Sequence, residues 1–273
     1  MSTVNWPEFV AFIQQHQRFV LTSHLRPDCD ALGSELGMAG VLEALGKEAR
    51  IVNPQATPPN LAFIDPHNKI ETINETVPTA DLLAAPLDAL LILDTSAWQQ
   101  LGPMREFIQK FRGAKAVLDH HVSEDDLGAT SFKNTTAEAT GRLVVDAAEQ
   151  LGVPLTPAMA MPLFAALATD TGWFRFNSTT EYTYQVAAKL TAAGAQPASI
   201  YRDLYEQDTL GRVRLRGLIL ARFELEMDGR LAHTYVRASD FAQTGALPSD
   251  TEDVINAGLG VAGAEAAVIL VEQ

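Results

Sequence analysis

The sequence has 273 residues, 47% hydrophobic and 20% charged, which is enough apolar material for two packed domains and too little charge bias for a disordered chain. Acidic residues outnumber basic ones 34 to 20, a net charge of -14. That balance argues against gripping long duplex nucleic acid or an anionic membrane surface, while a small anionic substrate stays open to it if bound cations offset the field.

In chain order, Phe9, Val10 and Ile13 mark a short amphipathic helix. Residues 19–22 are a compact apolar run suited to a buried strand, and the helix pattern ALGSELGMAGVLEALG follows, with Gly46 as its C-terminal cap. Residues 49–52 read as a strand and 54–59 as a proline-rich loop. The pattern repeats with a buried strand over 88–94, a helix over 103–111 and a strand over 116–119. Strands alternating with helices over this length predict a parallel α/β sheet. Two longer helices are expected at about 138–151 and 157–170, then helical patterns at 181–193, 198–206 and 212–223. Strands at 224–227 and 231–236 flank Asp228-Gly229, read as a two-residue hairpin turn; a helix near 250–257 and a strand at 266–271 close the chain. The expected organisation is a catalytic domain over 1–178, a helical linker over 179–208 and a smaller α+β domain over 209–273.

Four clusters carry chemistry. His24, Asp28 and Asp30 follow the first sheet strand, where open parallel sheets bind ligands, and Pro27 stiffens the loop. The plain alternative makes Asp30 the N-cap of the next helix and His24 a surface residue. Asp94 ends a second apolar strand, where it could equally cap the turn at Thr95 and Ser96. Asp119, His120 and His121 end a third, and two adjacent histidines there are hard to explain as packing. Asp170 closes the apolar segment LFAALATD, where a buried carboxylate needs a cation or a backbone cap. Together the acids and histidines suit manganese, or magnesium, better than structural zinc. Their number suits a bridged pair of ions about 3.5–4 Å apart, one generating hydroxide and both clamping a phosphoryl group.

SHLRPDCDALGS, LILDT, VLDHH and ATDTGWFRFNSTT resemble, in order, the four motifs of the DHH phosphoesterase superfamily. EATGRLVVD and TDTGWFRFNSTT are similar to its NrnA-type members, bifunctional oligoribonucleases and 3′-phosphoadenosine 5′-phosphate (pAp) phosphatases. Cys29 stands where the family carries a small residue. The resemblance implies that His24 and Asp28 hold one metal, that Asp30, His120 and Asp170 hold the second, and that Asp94 bridges both. It gives His121 the catalytic role of polarising the phosphate or assisting the leaving oxygen, with Asp119 orienting a histidine. It further implies a DHH-associated domain that binds the nucleotide. A glycine-rich GGGH-type loop and a basic strand belong to that domain in the family and are not found in these residues, so the domain is expected to be C-terminally incomplete here or a divergent form.

The function expected is manganese-dependent hydrolysis of short oligoribonucleotides to mononucleotides and removal of the 3′-phosphate of pAp. Cyclic or linear dinucleotide phosphodiesterase, or a catalytically silent nucleotide-binding module, are the rivals. Arg26, Arg142 and Arg175 could meet phosphate but read first as solvated, and Trp173, Phe174 and Phe176 could stack a base but read first as core. A single cysteine excludes an intramolecular disulfide, and neither a signal-peptide pattern nor an apolar run of roughly 18 residues is present. The expected location is the cytoplasm, with no membrane or duplex partner and a homodimer compatible with the reading.

Overall fold

The structure of the protein, a computed structural model, describes residues 4–251 and 254–272. It divides into two compact units, Met1–Leu204 and Tyr205–Gln273.

In the first unit, Asn5 accepts from the Glu8 N–H and starts α1 (Trp6–Gln15), which buries Phe9 and Ile13. Strand β1 (Arg18–Thr22) leads into α2 (Cys29–Ala44), and Gly46, with φ +73°, makes the turn that ends α2. After β2 (Glu48–Asn53) come a 3-10 turn at Pro59–Ile64, a short strand β3 (Ile70–Thr72) and a short helix α3 (Thr79–Ala84). Strand β4 (Ala89–Leu93), helix α4 (Met104–Lys110) and strand β5 (Ala114–Asp119) follow, then the short strand β6 (Thr130–Lys133). Four helices complete the run: α5 (Thr140–Gln150), α6 (Pro157–Asp170), α7 (Glu181–Ala192) and α8 (Pro197–Tyr205). The segment read from sequence as a linker, 179–208, therefore contains α7 and α8, and their Val186, Leu190 and Ile200 are buried in the first unit's core.

The six strands form one parallel sheet in the order β3-β2-β1-β4-β5-β6. Alternate residues feed cores on its two faces. Phe19, Leu21, Leu91, Leu93 and Leu118 pack with α1, α2, α5 and α6, while Val20, Leu90, Ile92 and Val117 pack with Leu82, Phe107 and Ile108 from α3 and α4. Helix α2 lies against α6 at very short range. A Cβ on Gly33 would sit 2.3 Å from the Pro162 carbonyl oxygen, so only glycine permits this approach. The chain order reverses between β1 and β4, creating a crevice at their carboxyl ends.

The second unit holds α9 (Leu210–Ala221), β7 (Glu224–Glu226), β8 (Leu231–Val236), α10 (Ala238–Thr244), α11 (Ile255–Leu259) and β9 (Ala266–Val271). Strand β8 pairs antiparallel with β7 and parallel with β9 around a core containing Leu215, Ile219 and Val236. The hairpin corrects the two-residue expectation. Pairing closes at Glu226 and Leu231, and Met227, Asp228 and Gly229 in the loop all have positive φ. The helix expected near 250–257 falls partly on residues 252 and 253, outside those described; around them are a 3-10 turn at Pro248–Thr251 and α11. Among the described residues, no helix is long and apolar enough to cross a membrane.

Candidate metal centre

The crevice between β1 and β4 gathers side chains from five elements. His24 and Asp28 come from the loop after β1, Asp30 from the first turn of α2, Asp94 from the end of β4, His120 and His121 from the end of β5, and Asp170 from the last residue of α6. Donor atoms within 4.8 Å of one another form three groups: His24, Asp28 and Asp94; Asp30, His120 and Asp170; and Asp94, His120 and His121.

The two ring nitrogens of His24 and of His120 have different duties. His24 Nδ1 donates to the Leu25 carbonyl at 2.8 Å, and His120 Nδ1 donates to the Ala137 carbonyl at 3.2 Å. A carbonyl can only accept, so each Nδ1 carries a proton and each Nε2 is the edge turned towards the carboxylates. His24 Nε2 faces Asp94 Oδ2 at 3.3 Å and Asp28 Oδ1 at 3.9 Å. His120 Nε2 faces Asp170 Oδ2 at 3.4 Å, Asp94 Oδ1 at 3.5 Å and Asp30 Oδ2 at 3.6 Å. In a neutral ring that edge is a lone pair, which repels carboxylate oxygens unless a cation or proton lies between.

Each carboxylate is held by backbone or hydroxyl donors. Asp28 Oδ1 accepts the N–H groups of Asp30 and Ala31, so Asp28 caps α2, correcting the alternative that gave this cap to Asp30. Asp30 instead accepts from the Thr140 N–H at 2.7 Å and the Gly141 N–H at 2.8 Å, placing its buried charge at the N-terminus of α5. A Cβ on Gly141 would lie 3.2 Å from Asp30 Oδ1 and 2.6 Å from the Ala166 Cβ, so glycine is what allows α5 in this close. Asp94 has φ +63°, a strained left-handed setting, and its buried carboxylate accepts from Thr140 Oγ1 at 2.9 Å.

The electrostatics follow from crowding. Burial, then the neighbouring charges of Asp30, Asp28 and Asp170, push the Asp94 carboxyl well above the usual range. Burial likewise raises Asp30, and burial with Asp30 and Asp28 pushes Asp170 up to about 8. Such a cluster cannot be fully ionised by itself. Asp28 with His24, and Asp30 and Asp170 with His120, each set also meeting Asp94, fit a pair of hard to borderline divalent cations.

His121 is built differently. Its backbone N–H and its Nδ1 both donate to Asp119 Oδ1, at 3.0 and 2.9 Å. The nitrogen that lies 3.7 Å from Asp94 is thus already committed to Asp119. Burial alone would raise Asp119, but the bonds from His121 and Ser96 and the charge of Lys133 bring it down to about 2. The bond to Asp119, opposed by partial burial, in turn raises His121.

Thr140 and Gly141, met in sequence only within EATGRLVVD, Ser96, met only in the turn after Asp94, and Lys133, a lysine without local signal, hold the acids. Arg142 is engaged by Asp146 at 3.3 Å and lies over the Tyr182 ring, whereas Arg26 and Arg175 are exposed. Trp173 and Phe174 pack against the first unit's core, and Phe176 is exposed.

Residues 18–167 match the model of the DHH family, N-terminal domain, and the chain belongs to that family. It is 26% identical over 270 residues to the bifunctional oligoribonuclease and PAP phosphatase NrnA of Bacillus subtilis, covering 97% of this chain and 81% of that protein. The NrnA of Thermus thermophilus is 31% identical over 217 residues, 79% of this chain and 62% of that relative's length. The fold resembles the crystal structure of an exopolyphosphatase-related protein from Bacteroides fragilis, with a TM-score of 0.89 and 24% identity over 94% of this chain and 76% of that one.

Proposed function

We propose that this DHH-family chain is a two-metal phosphoesterase that hydrolyses short oligoribonucleotides to mononucleotides and removes the 3′-phosphate of pAp. The observation that carries the reading is the pair of histidines whose Nδ1 atoms are tied to carbonyls while their Nε2 atoms face shared carboxylates. The names of the NrnA relatives support the substrate class. His24, Asp28 and Asp94 would hold one cation, and Asp30, His120 and Asp170, with Asp94, the second. Carboxylates with two imidazoles suit manganese, with magnesium as the alternative. When bound, such a pair supplies an activated water and positive charge for phosphoryl oxygens.

The chain's own groups do the rest. Thr140 Oγ1 and the α5 N-terminus fix the orientation of Asp94 and Asp30, so the ligand set is held in place before any ion arrives. His121, anchored through Nδ1, is half-exposed and keeps its Nε2 edge for a phosphate or leaving oxygen. The test is manganese-dependent release of mononucleotide from a 5′-phosphorylated dinucleotide, and of phosphate from pAp, by wild type and Asp94→Ala. Turnover by wild type that is absent in the variant supports the reading. A wild type that binds manganese yet turns over neither substrate refutes it and leaves a nucleotide-binding module.

A further inference from the structure

We propose that Lys133 is a positioning residue for His121, acting through Asp119 to fix which edge of the imidazole faces substrate. The inference rests on the phosphoesterase reading above for its consequence, but its geometry stands alone.

Strands β5 and β6 run parallel with Asp119 opposite Lys133. Asp119 is fully buried, and only 6% of the Lys133 side chain reaches solvent. Lys133 Nζ donates to Ser96 Oγ and to the Ser123 carbonyl, both at 2.6 Å, and forms an ion pair with Asp119 Oδ2 at 3.1 Å. The Ser96 hydroxyl, receiving from Lys133, has Asp119 Oδ2 and the Ser123 carbonyl each at 2.7 Å as acceptors for its proton. One carboxylate oxygen is therefore occupied by Lys133 and Ser96. The other, Oδ1, is left to take both N–H groups of His121.

Direction follows from this division. A carboxylate whose charge is balanced by an ammonium can only accept, so His121 Nδ1 must donate, and Nε2 is the edge left for chemistry. Burying an ion pair is expensive, and an apolar pair of similar volume is often as stable or more so. Packing alone gives β6 no reason to end in lysine. A carboxylate that must stay charged and correctly turned behind a catalytic imidazole does. Without the ammonium, Asp119 keeps its place in the fold but loses the partner that sets which oxygen faces His121.

The test compares wild type with Lys133→Met, using nitrogen-15 NMR of the imidazoles in metal-free protein alongside turnover and manganese binding. Wild type is expected to show His121 protonated at Nδ1, and Lys133→Met to show mixed tautomers. Turnover of the 5′-phosphorylated dinucleotide should fall roughly 10- to 100-fold in kcat. KM and manganese affinity should stay within about twofold, a split that loss of general structure would not produce. If Lys133→Met does not fold, Ser96→Ala, which removes the hydroxyl between the two charges, is read in the same way with a smaller expected loss. An unchanged tautomer in a folded variant overturns the proposal, as does a loss of kcat that merely follows loss of manganese. If wild type turns over no substrate, the phosphoesterase reading fails separately, and the NMR comparison still decides whether Lys133 orients His121.

Discussion

Replacing Asp170 with asparagine should make the metal-free protein more stable at alkaline pH while removing its response to manganese. Asp170 is ordinarily a carboxyl of 3.8, and burial with the charges of Asp30 and Asp28 carries it to about 8. A group whose folded value lies above its unfolded one contributes stability that is complete below the unfolded value and is lost as pH rises towards the folded value. The full shift corresponds to about 5–6 kcal/mol. Because 30% of the side chain faces solvent and the neighbouring carboxylates titrate along with it, about half of that, ~3 kcal/mol, is the expectation for the full span. Between pH 4.5 and 8 about 2 kcal/mol of this is lost, so at roughly 2–4 °C per kcal/mol the wild type stripped of metal should melt about 4–8 °C lower at pH 8 than at pH 4.5 through this group, and Asp170→Asn should lack that drop. Saturating manganese should reverse the order, raising wild type and leaving Asp170→Asn little changed. The assay is thermal unfolding of chelator-treated and manganese-loaded protein across that range. Equal melting of the metal-free wild type and variant at pH 8 would refute the crowding argument on which the metal assignment depends.

Four further substitutions have expected outcomes from the same structure. Gly33→Ala should cost about 1–3 kcal/mol in urea unfolding, since the new methyl meets the Pro162 carbonyl at 2.3 Å, whereas Gly217→Ala on exposed α9, with nothing within 4 Å, should gain up to about 1 kcal/mol. Gly141→Ala, which presses on Asp30, should weaken manganese binding roughly 10- to 100-fold by calorimetry with little change in helix content by circular dichroism. Asp88 accepts the N–H groups of Gln17 and Arg18 and pairs with the Arg18 guanidinium, bonds that outweigh its slight burial and hold it at about 2. Its contribution is present above 3.8 and lost as pH falls through about 2, so the stability gap between wild type and Asp88→Asn should be open at pH 6 and closed in strong acid.

The strand ends were legible because a buried parallel strand is almost purely apolar, so an acid or histidine at its carboxyl end stands out. Asp94 after ALLIL and His120 after AVLD are of this kind, and the structure brings both to the crevice. Asp28 and Asp30 were visible as candidates, but which one caps α2 was not. The decision depends on Thr140 and Gly141, more than a hundred residues away, whose N–H groups claim the Asp30 carboxylate. Nothing local to the PDCD segment encodes that competition.

The short elements were hidden for a different reason. Strand β6 has four residues at the sheet edge, two exposed and two buried, too few to show a period against the background of the chain. Missing β6 meant missing Lys133, because a lysine in TSFKNTT carries no signal until its strand is laid beside β5 and its register matches it to Asp119. The acids stand out in sequence because they look wrong for their place in the chain. The groups that hold them look ordinary there, and become informative only when burial shows what a charge would cost without its partner. A wholly buried Asp119 that nonetheless sits at about 2 is such a case, and its explanation requires Lys133, Ser96 and His121 together.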